Sequence, residues 1–114
     1  MRSKPLSLPA HGVIEILAGL ALIVVPALFG FDAGAMVVAA SLGVVLTGAA
    51  IALTAQKPIS VAAFSRFDSV FLLITAFAAL AFALSGNLAG AVLLSAVVML
   101  LTWLTLSTRY AATA

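Results

Sequence analysis

The chain has 114 residues, of which 66% are hydrophobic and 7% charged, and its mean hydropathy is +1.38. A soluble domain keeps roughly a quarter of its residues charged so that water can wet its surface. This composition therefore excludes a soluble globular fold and points to a polytopic membrane protein. The net charge of +2 comes from scattered basic residues, with no basic stripe and no interleaved aromatics, so nucleic acid is not an expected partner. With no cysteine there is no disulfide framework and no thiolate site, and a single histidine cannot build a His-rich metal site. Neither a metal nor a cofactor is expected.

In chain order, four apolar runs are bounded by the few polar clusters: Gly12 to Phe29, Gly34 to Thr54, Phe67 to Leu84 and Leu88 to Leu106. Each is close to the ~20 residues that cross ~30 Å of hydrocarbon as a helix. None alternates polar with apolar residues, and a few strands would leave unpaired edges in lipid, so strands are excluded. The predicted fold is all-α, a single four-helix membrane domain over residues 1–114.

The first and last connections are short, Gly30-Phe31-Asp32-Ala33 and Ser85-Gly86-Asn87. Gly with Asp or Asn closes such turns because these residues accept left-handed backbone and bond locally, so the spans pair as helical hairpins. The middle connection runs from Ala55 to Arg66; Pro58 disfavours continuation of the second helix, and Ser60 is a predicted N-cap for the third. Arg2, Lys4, Lys57, Arg66 and Arg109 all fall on one side of a four-span topology, whereas Asp32 and Asn87 fall on the other. The positive-inside rule then predicts cytoplasmic N and C termini, with Trp103 and Tyr110 in the inner interfacial belt. Ala33-Gly34-Ala35 imitates a signal-peptide cleavage site, but Glu15 interrupts the start of the apolar stretch and the same tripeptide recurs at Ala89-Gly90-Ala91.

That recurrence belongs to a wider match. A shift of 56 residues lays Gly30 to Ala35 on Gly86 to Ala91, which reads as an internal repeat of two parallel hairpins. Small residues recur at helical spacing and are the expected helix-packing positions: Gly19; Ala35, Ala39, Gly43 and Gly48; Ala79 and Ala83; Ala91 and Ser95. In lipid, close backbone approach has to replace the hydrophobic drive that assembles soluble bundles.

Glu15 is the acid that lies inside a span however the boundaries are drawn, and His11, four residues earlier, shares its helix face. Ionisable residues in a membrane mark proton relays and substrate sites. The alternative is a fixed polar tie to His11, Arg66 or Arg109 at the inner end of the bundle. Asp68 is expected to pair with Arg66 at the membrane interface, so the candidate proton or ion-pair residues are Glu15, His11, Arg66 and Asp68. No nucleophile stands beside a base, and there is no phosphate loop or metal-ligand spacing, so an enzyme is not expected.

The segment from Leu17 to Phe31, with Pro26 followed by Gly30-Phe31, resembles the first hairpin of the SPW-repeat family of bacterial membrane proteins, although Val25 and Ala27 replace the family's Ser and Trp. The same Gly-rich, Pro-ended hairpin is similar to HdeD-type small membrane proteins. Both resemblances imply a small multi-pass protein of the bacterial inner membrane and supply no catalytic residue. Glu15 in the first of four spans also resembles the essential acid of small multidrug resistance transporters, and that match stops at this residue. The expected role is structural or accessory, exerted through helix packing within the lipid bilayer as a homo-oligomer or beside another membrane protein. The alternative is a small proton-coupled transporter using Glu15.

Overall fold

A computed structural model describes residues 7–54 and 61–107. It contains four α-helices in order: α1 Leu8–Leu28, α2 Ala33–Thr54, α3 Val61–Leu84 and α4 Leu88–Ser107. Each is long and apolar enough to cross a membrane. Helix α1 begins a full turn before the predicted start at Gly12. The Ser7 hydroxyl accepts the Ala10 N–H at 3.3 Å, and Pro9 fits a first turn whose N–H groups have no helical partner. Helix α3 begins at Val61, ahead of the apolar run that starts at Phe67 and directly after the position read as its cap. The predicted cap Ser60, with Arg2, Lys4, Lys57, Pro58, Arg109 and Tyr110, lies outside the described residues.

The turns that close the two hairpins, between α1 and α2 and between α3 and α4, are built alike. Helix α1 ends on Gly30 at φ +67° and α3 on Gly86 at φ +83°, a backbone region that only glycine enters without steric cost. In each, the residue after the glycine donates its N–H back into the last helical turn: Phe31 to the Pro26 carbonyl at 3.0 Å, and Asn87 to the Phe82 carbonyl at 2.8 Å. The following helix is then capped by a side chain. Asp32 Oδ1 accepts the Ala35 N–H at 2.8 Å, and Asn87 Oδ1 accepts the Gly90 N–H at 3.0 Å. The second turn is one residue shorter, because Asn87 both follows the glycine and caps the helix, whereas Phe31 and Asp32 divide those tasks. A single 56-residue shift therefore matches the glycines, and a 55-residue shift matches the caps.

Helix α1 packs closely on α2, and α3 on α4, while contact between the two hairpins is sparse. At the α1–α2 crossing the backbones nearly touch: a Cβ on Gly19 would stand 2.9 Å from the Gly43 carbonyl oxygen, and one on Gly43 would stand 2.5 Å from that of Gly19. Gly90 makes room for a side chain of α3 instead, since a Cβ there would meet the Phe82 ring at 2.8 Å. Ala35, Ala39, Ala79 and Ala91 are buried as packing positions, and the core around them holds Leu22, Leu46, Leu94 and Leu104. Gly48, Ala83 and Ser95, expected as packing positions, are exposed, and nothing lies within 4 Å of where a Gly48 Cβ would be. Helical spacing relates residues on one face, but it cannot say which face meets a neighbour.

Candidate functional site

The buried ionisable side chains among the described residues are His11, Glu15 and Asp68, and they form one cluster. Helix α1 sets the first two one turn apart on a face continued by Ala18 and Leu22. Helix α3 contributes Asp68 on the face continued by Phe71, Thr75 and Ala79. His11 Nε2 lies 2.8 Å from Glu15 Oε2 and 2.9 Å from Asp68 Oδ2. One ring nitrogen thus serves two carboxyl groups. Ionised carboxylates only accept, so the Nε2 proton sits in the fork between them.

The exposures fix the setting: His11 is 0% exposed, Glu15 1% and Asp68 7%, so Asp68 is the least covered of the three. Glu15 Oε1, also buried, finds no hydrogen-bond donor among the described residues. The same holds for Thr47 Oγ1, which lies against Gly19 at the α1–α2 crossing. An unmet buried acceptor forfeits the water it left behind, about 1–3 kcal/mol and more when charged.

The cluster joins parts of the chain that otherwise stand apart. His11 and Asp68 are separated by 57 positions, and among the described residues no Cα of α1 lies within 8 Å of one in α3. The side chains therefore span a gap that the helix backbones do not close. A second polar link lies at the opposite end of the helices, where Asn87 Nδ2 donates to Asp32 Oδ2 at 2.9 Å. The two hairpins are tied by polar side chains at both ends, with apolar contacts between.

Of the four residues expected at a proton or ion-pair site, three come together and Arg66 does not. The expected Asp68–Arg66 pair is replaced by Asp68–His11; Arg66 is exposed and, among the described residues, makes no ion pair. Residues two apart on a helix point in widely different directions, so sequence proximity to Arg66 is a poor guide to the partner of Asp68. The usable signal is helical phase, since Asp68 stands three and seven residues before Phe71 and Thr75, on the stripe that includes Ala79. Gly90 was missed as a packing position beside Ala91, and Asp32, expected as a solvated turn residue, is exposed but caps α2 and binds Asn87.

Arranged in this way, the three side chains can hold a proton in a fork, tie two helices, or present one nitrogen and two carboxyl groups to a cation. Their ligand atoms lie within 4.8 Å of one another, a grouping that the expectation of no metal-spaced cluster did not foresee because Asp68 comes from a distant helix. Comparison with known protein families, with curated proteins and with solved structures finds no match.

Proposed function

We propose that this chain is a small multi-pass protein of a bacterial cytoplasmic membrane with a structural or accessory role, working as a helix-packing unit within a homo-oligomer or beside a larger membrane protein. The observation that carries this reading is the use made of the buried ionisable groups: they bond one hairpin to the other. Between that cluster and the outer turns, the described residues include no other ionisable side chain. A conduction path would need polar groups at successive depths. Helices tied at both ends with apolar outer faces suit a component that stays in one shape while others pack on it.

Those outer faces support the same reading. Only 22% to 39% of each candidate span is buried within the chain. A groove between α3 and α4 is lined by Ala76, Ala79, Ala83 and Ser95 with Leu80 and Met99, and its small residues would let another helix approach closely. In this proposal both termini are cytoplasmic, because every Lys and Arg falls on that side. The two hairpins form a parallel repeat, whose alike outer turns favour that relation. The SPW-repeat and HdeD-type resemblances imply the same class of small multi-pass protein.

Extraction in a mild detergent or in polymer-bounded bilayer discs, followed by native mass measurement, tests the proposal. A defined homo-oligomer or a stoichiometric membrane partner is the expected result; a lone monomer in both media would overturn it. The second reading, a proton-coupled transporter, is favoured by the buried, unmet Glu15 Oε1. It requires that Glu15→Gln abolish proton-driven flux in proteoliposomes.

A further inference from the structure

We propose that His11, Glu15 and Asp68 form a binding site for a divalent first-row transition cation of the zinc type, which ties α1 to α3. A tetrahedral zinc ion with bonds of ~2.0–2.1 Å holds neighbouring ligand atoms roughly 3.3–3.4 Å apart. His11 Nε2 stands 2.8 Å and 2.9 Å from the two carboxylate oxygens, so each of these contacts has to lengthen by about half an ångström to turn a fork around a proton into a shell around a metal, with the three ligand atoms already within 4.8 Å of one another. Side-chain rotation supplies a shift of that size.

Charge favours the exchange. A divalent cation with two carboxylates and a neutral imidazole sums to zero, so the three side chains match such an ion in charge. Donor number favours it too. One N–H now serves two carboxyl groups, and Glu15 Oε1, on a side chain 1% exposed, has no donor among the described residues. A metal ion would engage that oxygen as a further ligand or through a bound water. The donor set selects the metal: imidazole with carboxylates suits zinc, cobalt and their neighbours, and the absence of sulfur disfavours monovalent copper. Calcium demands six to eight oxygens, and magnesium keeps most of its waters, which a pocket only 7% exposed at its most open residue does not admit.

The test uses the full chain in detergent micelles, free of any affinity tag and stripped with a chelator. Titration with Co2+ is followed through the ligand-field absorption of the tetrahedral ion, and Zn2+ is added as competitor. One Co2+ per chain, displaced by Zn2+ and not by equal Mg2+ or Ca2+, is the expected result. Glu15→Gln and Asp68→Asn are each expected to weaken binding at least ~100-fold, the upper end of what loss of a mere supporting residue does. The absence of saturable binding, or affinity in both variants unchanged from that of the unaltered chain, would overturn the proposal. A variant that fails to fold is caught by circular dichroism and size exclusion, and a second measurement then decides on the unaltered chain. His11 is the sole histidine, so imidazole scattering in the zinc-edge X-ray absorption spectrum can come from that residue alone. Its presence supports the site, and an all-oxygen shell refutes it. Neither result bears on oligomer mass, so this inference and the accessory role fail separately.

Discussion

His11 holds together two groups that would otherwise repel. Its removal leaves two buried carboxylates facing each other, whereas neutralising either carboxylate keeps a hydrogen-bonding shape and lessens their repulsion. His11→Ala is therefore expected to destabilise the fold by about 3–5 kcal/mol, the range for stripping one partner from a buried ion pair. Glu15→Gln and Asp68→Asn should each have a much smaller effect, and combining Asp68→Asn with His11→Ala should recover part of the loss. Thermal unfolding in detergent, arranged as a double-mutant cycle, checks this ordering; a loss in Asp68→Asn equal to that in His11→Ala contradicts it. The pairing of His11 with Glu15 was legible because spacing of four on a helix is a local property. Asp68 was not, since its partner comes from another hairpin and its sequence neighbour Arg66 pointed to the wrong face.

Among the elements, the glycines of α1 and α2 differ sharply in what surrounds them. A Cβ on Gly19 would collide with Thr47 Oγ1 and lie 2.9 Å from a carbonyl oxygen of α2. Gly19→Ala should force α1 from α2 and cost about 1–3 kcal/mol, the range for overpacking a filled core. Gly48→Ala meets nothing within 4 Å and should be neutral or stabilising by up to about 1 kcal/mol through helix propensity. Thermal melts of the two variants in one detergent compare them directly. The caps invite a similar comparison: Asp32→Ala and Asn87→Ala each remove an N-cap, typically about 1 kcal/mol, and both lose the same link across the hairpins. Their effects should therefore be less than additive, and strict additivity would show that the link contributes nothing. Sequence pattern revealed the small-residue stripes but could not separate Gly19 and Gly43 from Gly48, because the distinction lies in where a second helix crosses.

At the scale of the molecule, four apolar helices followed directly from hydropathy and turn chemistry, and the one start that differs by a full turn is that of α1. Ser7 with Pro9 lengthened α1 at its polar edge, where hydropathy carries no signal. The chain has no cysteine, so introduced thiols report without background. With cysteines replacing Asp32 and Asn87, a short bifunctional thiol reagent should cross-link the chain internally, and a membrane-impermeant thiol reagent should label both from outside intact cells. Labelling only after permeabilisation would reverse the orientation proposed from the basic residues. The sparse seam between the hairpins also bears on how the protein is made. Helices α1 and α2 hold their own close crossing and their own turn, so the first half can settle before α3 leaves the ribosome. His11 and Glu15 can then bond each other before Asp68 has been made. The quality-control machinery of the membrane would meet a half-built protein whose buried pair lacks its third member until α3 inserts.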